Sequence, residues 1–349
     1  MKISIGTNIK EGPWGGGNLF AINLKNFLIS KGHTVTNNLD DSDIDIILLT
    51  EPRKTSESSA YTHIDVKDYI NFINPEALVV HRINECDERK GTNFVNKYLM
   101  EANKVADYTI FVSTWLKTLY LEQGINKKNN EVILAGANNK VFNENNKSIW
   151  NKREKLKIVT HHWGANWNKG FSIYERVDNL LDNKIWQSKI QFTYIGNLPS
   201  KFKFKNSNYI RPIAGEELSE ELKKNHLYLT ASLNEPSGNH HIEGAQCGLP
   251  IMYINSGGVK EYCEDFGIEY NEFNFEKKLE YFLENYDIYS DKIKNYPFNS
   301  DKMCNDFLIL FEKMIVDKKS IITQRNFFNP GLFDEKKFKV KKFIKSLYN

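Results

Sequence analysis

Two glutamates, Glu235 and Glu243, stand eight positions apart in the stretch NEPSGNHHIEGAQCGLPI at 234–251. The first follows a strand-like run, LYLTAS, and so lies on a loop. The second falls at the start of the next helical pattern, where a carboxylate also suits the positive end of the helix dipole. An ionised carboxylate accepts paired hydrogen bonds, and a vicinal diol supplies them. Two such groups about two helical turns apart can hold two polyol units of one ligand, a sugar and a ribose. Between them Gly238 lets the chain turn and leaves backbone amides open to a ligand.

Other stretches offer partners for an anion. GTNIKEGPWGGGNLF at 6–20 sets Gly15, Gly16 and Gly17 in a turn after the first strand and before a helix N-terminus, where backbone can approach a negative group closely. It lacks the G-x-G-x-x-G spacing of a dinucleotide fingerprint. In THHWGANWNKGF at 160–171, Lys169 stands just before a helix, the arrangement a diphosphate would use. The pairs His161–His162 and His240–His241 read as strand neighbours facing opposite ways, with no carboxylate or cysteine at ligand spacing, so no metal site is expected. The D-x-D triplets formed by Asp41, Asp43 and Asp45 precede their strand, at the wrong end of a sheet for a site, and read as a solvated loop.

The elements that must carry these residues alternate along the chain. KISIG (2–6), IDIILLT (44–50), ALVVH (77–81), YTIFVS (108–113) and EVILAG (131–136) are β-branched runs suited to a parallel sheet covered on both faces. Asn18–Ser30 carries a helical apolar stripe, and Ser113 or Thr114 can cap a helix reaching about Gln123. A second set follows: strands at 156–163, 190–196, 226–232 and 250–255, with helices near 170–183, 216–224 and 241–247. Beyond about 274 the pattern is helical only. Two successive strand–helix series predict two doubly wound α/β domains with a seam near 145–155, and a ligand site in the cleft outside the carboxyl ends of the strands.

With that frame, the chain resembles the retaining glycosyltransferases of the GT-B fold, of the family 4 type. The resemblance rests on the Glu, seven residues, Glu signature at 235–243, on EGAQCGLPI and SGGVKEY after it, on WGGGNLFAINLKNFLISKGHTV, and on ADYTIFVSTWLKTLY and VILAGANNKVF. It spans nearly all of residues 1–265. It implies an N-terminal Rossmann-like domain on the acceptor side (1–148), a donor-side domain (149–327), and a C-terminal segment (328–349) packing back on the first. It further implies that Glu243 holds the nucleotide ribose and Glu235 the donor sugar, with backbone at Ser237 and Gly238 assisting. Lys169 would bind the donor diphosphate with Gly16 and Gly17 closing over it, Glu261 would stand near the nucleotide, and His81 beside the sugar. The implied catalytic set is Glu235, His81 and Lys169.

The family usually carries an arginine five or six residues before this lysine. Trp163 and Gly164 occupy those positions here, so His162 or Arg82 are the substitutes expected beside Lys169. The expected donor is a UDP- or GDP-sugar used without a metal or other cofactor, and the expected acceptor a glycan or lipid-linked saccharide. A non-catalytic binding subunit of the same fold and a sugar-nucleotide epimerase are the competing readings.

Composition narrows the field further. A net charge of +3 and 26% charged residues are too even for a nucleic-acid binder, so no nucleic-acid partner is expected. The four cysteines include no C-x-x-C pair and read as buried thiols of a reducing compartment. MKISIGTNIK enters a strand with no signal-peptide core, and the expected location is cytoplasmic. The last residues, DEKKFKVKKFIKSLYN, put Val340, Phe343, Ile344 and Leu347 on one helical face among lysines. That helix either returns to the first domain or makes peripheral contact with the inner face of a membrane, where lipid-linked acceptors reside.

Overall fold

The computed structural model describes residues 1–10, 15–125, 129–325 and 330–347, with the last seven of these as backbone only. The first series comprises β1 (Lys2–Ile5), α1 (Gly16–Ser30), β2 (Thr34–Thr36), β3 (Ile46–Leu49), α2 (His63–Phe72), β4 (Leu78–Ile83), α3 (Asp87–Lys90), α4 (Val95–Asn103), β5 (Tyr108–Phe111), α5 (Thr114–Glu122) and β6 (Asn130–Val132). The second comprises β7 (Leu156–His162), α6 (Phe171–Leu180), α7 (Lys184–Lys189), β8 (Ile190–Gly196), β9 (Asn208–Ile210), α8 (Gly215–Lys223), β10 (Leu227–Thr230), α9 (Asn239–Gln246), β11 (Ile251–Ile254), α10 (Val259–Cys263) and β12 (Gly267–Tyr270). Five helices follow: α11 (Phe275–Glu284), α12 (Tyr286–Lys292), α13 (Ser300–Val316), α14 (Lys318–Thr323) and α15 (Leu332–Leu347).

These strands form two six-stranded sheets, ordered β2-β1-β3-β4-β5-β6 and β12-β11-β10-β7-β8-β9, with every pairing between strands parallel. Side chains alternate across each strand, so both faces of a sheet must be covered. Ile3, Ile5, Leu48 and Val80 pack against Phe20, Leu24 and Leu28 of α1. Their neighbours Ile47, Leu49 and Val79 pack on the other face against Val66, Tyr69 and Ile70 of α2. The two-domain doubly wound architecture is therefore as expected.

Three local features depart from the sequence reading. The edge strands β9 and β12 were not expected, because NYI and GIEY are short and put polar or exposed residues where an apolar run would have signalled them. The helix expected across 170–183 ends at Leu180, and a second begins after Asn183, whose side chain accepts the Ile185 amide at 2.8 Å. His240 and His241 lie on helix α9, not on a strand. Isolated from its partners, HHI is as compatible with a strand as with the first turns of a helix.

The chain returns to the first sheet well before its last helix. Met303, Phe307, Phe311 and Met314 of α13 complete the core that contains α1, with the Phe20 and Phe307 rings 5.2 Å apart. Arg325 then clamps the segment down: its Nε and Nη2 donate to the Asp107 carboxylate at 2.6 Å each, and its other donors reach the Pro75 and Ala77 carbonyls. The last helix, α15, lies against α2, with Phe338 stacked on Phe72 at 4.8 Å. Of the apolar face expected to meet either the first domain or a membrane, Val340 is 57% exposed. The side chains of Phe343, Ile344 and Leu347 fall outside the described residues. Among the described residues no helix is long and apolar enough to cross a membrane.

Candidate donor site between the two lobes

The loop that follows β10 is held in an unusual backbone path. Asn234 has φ +51°, and its amide donates to Ser256 Oγ at 2.8 Å. Glu235 bridges to Gly257, and Gly258 N–H donates to the Glu235 carbonyl at 2.9 Å. A Cβ on Gly257, which has φ +71°, would stand 2.4 Å from that carbonyl oxygen. The SGG turn after β11 is thus a glycine support for the carboxylate loop, and only glycine fits the approach.

Glu235 is 5% exposed and its carboxylate faces two cations. Lys169 Nζ donates to Oε2 at 2.6 Å, and Arg89 Nε stands 3.1 Å from Oε1. Burial alone would push the Glu235 pKa up, but Arg89 and Lys169 outweigh it and hold the carboxyl well below its usual range. Lys169, 8% exposed, is pushed down by burial, with Glu235 offsetting part of the effect. Its position is set by Gly170, whose φ of +99° and close approach to Ala231 dock the turn against the end of β10. Leu233 N–H donates to the Asn168 carbonyl at 2.7 Å, tying the lysine loop to the glutamate loop.

Glu243 is 6% exposed on α9. His161 Nε2 lies 2.8 Å from its Oε2, and His161 Nδ1 lies 3.0 Å from the Tyr228 hydroxyl. A carboxylate only accepts, so Nε2 carries the proton and Tyr228 orients the ring through the other nitrogen. Three more histidines crowd beside this chain, with the His162 and His240 rings 4.4 Å apart and His240 and His241 4.8 Å apart. Burial lowers the pKa of each, that of His241 to about 3. His162 meets the Tyr174 hydroxyl at 2.7 Å and His240 meets Thr230 Oγ1 at 2.8 Å. Among the described residues no three His, Cys, Asp or Glu side chains are arranged to hold a metal ion.

The remaining expected residues divide into those the fold gathers here and those it sends elsewhere. Gly16 of the first lobe comes against Asn239 at the start of α9, where an added Cβ would lie 2.9 Å from the amide group; Gly17 is open. Gly238, with φ +79°, caps α9 and rests on the His241 ring, and Ser237 beside it is half-buried.

His81 is not brought to the carboxylates. It is fully buried, its Nδ1 accepts from Asn103 Nδ2 at 3.1 Å, and burial pushes its pKa down to about 3. Glu261, expected near the nucleotide, reaches across to the first lobe and accepts the Thr114 and Trp115 amides at 2.8 and 3.0 Å. The unsatisfied donors at the N-terminus of α5 explain that placement. Neither expected substitute for the family arginine sits on Glu235: His162 is spent on Tyr174, and Arg82 lies over the Phe20 ring at 3.9 Å. The cation that does sit there, Arg89, was missed. Its signal was present in NECDERKG, a charged cluster just past the carboxyl end of β4 and so at the cleft, although its residue order favours no one partner.

Further contacts join the lobes around this point. Asn168 Nδ2 donates to the Arg89 carbonyl at 3.1 Å and Asn234 Nδ2 to the Glu88 carbonyl at 3.2 Å. Tyr262 donates to the Val112 carbonyl at 2.6 Å and accepts the Ala135 amide at 2.9 Å, entirely buried. Tyr262→Phe leaves both backbone groups without a partner and is expected to cost about 2 kcal/mol. Urea denaturation of the two proteins checks this; an unchanged midpoint contradicts it. The groove of about 840 Å³ lined by Trp150, Lys152, Arg153, Ser188 and Glu280 among others shares no residue with this site.

No protein-family model matches the chain, and no curated protein does. Solved structures match over most of its length. A glycosyltransferase from Rickettsia africae has 14% identity and a TM-score of 0.65, the match covering 90% of this chain and 98% of that one. An Anabaena protein solved in complex with UDP and glucose has 14% identity and a TM-score of 0.59, covering 92% and 99%. An alpha-glucosyltransferase solved with UDP-glucose and DNA containing an abasic site has 14% identity and a TM-score of 0.60, covering 89% and 99%. At these identities the likeness is one of fold, and that fold is GT-B: two Rossmann-like domains facing across a cleft, with the C-terminal helices returning to the first.

Proposed function

We propose that the protein is a retaining glycosyltransferase that moves a sugar from a nucleoside diphosphate donor to an acceptor hydroxyl. The observation that carries this is the pair of buried carboxylates at the carboxyl end of β10, Glu235 beside Lys169 and Glu243 on His161. Burying two acids needs a purpose, and two diols of one sugar nucleotide supply it. The fold shared with structures that hold UDP, glucose or UDP-glucose supports the same donor class.

In this reading Glu243 takes the ribose hydroxyls, and Glu235 the sugar hydroxyls, with Ser237 and Gly238 offering backbone groups beside them. Lys169 and the N-terminus of α9 face the diphosphate. The bond between the anomeric carbon and the phosphate oxygen breaks and its electron pair stays on the diphosphate. The acceptor oxygen bonds the same face of that carbon and its proton passes to a phosphate oxygen. The protein's part is to stabilise charge on the leaving group and to position the sugar.

A panel of UDP-, GDP- and ADP-sugars, followed for nucleotide release with EDTA present, tests this reading and its metal independence. Release of one nucleotide, stimulated by a glycan or lipid-linked saccharide, is the expected result. The acceptor arm includes DNA, with which one structural neighbour was solved, and anionic vesicles to test peripheral membrane contact through α15 at a cytoplasmic surface. Binding without release selects a non-catalytic subunit, and conversion of the donor sugar without acceptor selects an epimerase.

A further inference from the structure

The leaving diphosphate carries more charge than one lysine balances, and that lysine already neutralises Glu235. The second lobe offers nothing at Trp163 or Gly164, and His162 is buried in contact with Tyr174. Arg89 comes from the opposite lobe, on the four-residue α3 past the end of β4. Glu85 holds one edge of its guanidinium through Nη1 at 2.8 and 3.0 Å, which fixes the plane of the group. The other edge points at Glu235, yet the buried Nε–H makes no aligned hydrogen bond, although Oε1 stands only 3.1 Å away. That donor is therefore held in place and unmet.

We infer that Arg89 is the second cation of the donor diphosphate site, supplied across the cleft by the acceptor-side lobe, with Glu235 occupying it while no donor is bound. The inference rests on the glycosyltransferase reading above. Lys169, Arg89 and Lys90 against Glu235 and Glu85 leave one net positive charge, so the site attracts a diphosphate only with both Lys169 and Arg89 present. On donor entry the unmet Nε–H takes a phosphate oxygen, and Glu235 keeps its oxygens on that side for the sugar. Because the Arg89 carbonyl is bonded to Asn168, next to Lys169, the two cations are set relative to one another only when the lobes are together. Diphosphate binding and lobe closure are then one event.

The test uses the full chain as wild type, Arg89→Ala and Arg89→Lys, titrated calorimetrically with UDP, GDP and ADP and with uridine, guanosine and adenosine. For the base the wild type prefers, Arg89→Ala is expected to weaken diphosphate binding at least 30-fold and to leave nucleoside binding within twofold. Arg89→Lys recovers part of the loss. Donor turnover by Arg89→Ala falls at least 100-fold. A purely structural arginine would change nucleoside and diphosphate affinity together, and that outcome overturns the inference, as does wild-type diphosphate affinity in Arg89→Ala; in either case the glycosyltransferase reading stands. If the wild type binds no diphosphate better than its nucleoside, that reading fails and the role of Arg89 with it.

Discussion

Glu235→Gln lowers kcat for donor turnover by about 10²–10³-fold and destabilises the empty protein more than Lys169→Ala does. The first effect follows from position. A carboxylate gripping a sugar hydroxyl and facing the cations of the leaving group acts where charge develops, and removing one preorganised group of comparable placement, an oxyanion-stabilising donor, costs about 10²–10³ in rate. The second effect follows from charge counting. Lys169→Ala leaves Glu235 still paired with Arg89, whereas Glu235→Gln leaves Lys169 without a buried counter-ion and Arg89 with only Glu85. Breaking a buried pair so as to strand a charge costs about 3–5 kcal/mol. Both variants are expected to lose turnover, while the midpoint of urea unfolding falls further for Glu235→Gln. Equal midpoints, or normal nucleotide release by either variant, contradict the charge arrangement described.

Acid destabilisation is expected to begin near pH 6, above the range in which carboxylates titrate. Burial holds His81 and His241 near a pKa of about 3 and His226 near about 4, and lowers His162 and His240 as well. The hydrogen bonds agree: His226 Nδ1 accepts the Lys157 amide at 3.0 Å and His81 Nδ1 accepts from Asn103, so protonation would remove an acceptor as well as bury a charge. In the unfolded chain each histidine takes a proton below about pH 6.5, whereas the native state refuses it. The stability these residues contribute is therefore complete above pH 6.5 and is lost as pH falls towards 3–4. By pH 5 the loss is about 2 kcal/mol for each such histidine, against a total stability of about 5–15 kcal/mol. Glu235, whose pKa is depressed, starts to lose its contribution only below about pH 4.3, so the histidines act first. Urea midpoints at pH 7.5, 6 and 5 should fall steadily, with a shallower fall for His81→Gln. A flat profile across that interval would show that these imidazoles are not held neutral.

Those same histidines mark where local reading of the chain stops. Runs such as IILL of β3 or LVVHRI of β4 announce buried strands because every residue is apolar or flanked by apolar ones, and the alternation of such runs with helical stripes was enough to place two facing sheets and their cleft. The carboxylate pair was legible too, since both its residues lie within one loop and one helix turn. What lay across the cleft was not. Arg89 and Glu235 are far apart in sequence, and nothing local tells an arginine which carboxylate it will meet after two lobes close. Glu261 is a second case: nothing in its motif told that it would accept the amides of α5 in the other lobe. His81 sits on a central strand whose side chains alternate between two covered faces, and its face is the one under α4 rather than the open end of the sheet. The edge strand β9 has no buried residue by which it could be seen.

The most direct measurement is a crystal structure of the full chain with the UDP- or GDP-sugar that the binding panel selects. The ribose is expected on Glu243, the sugar hydroxyls on Glu235 and the diphosphate beside Lys169 between the two lobes. A donor bound elsewhere, for instance in the groove beside Trp150, with Glu235 still closed on Lys169, would contradict this placement.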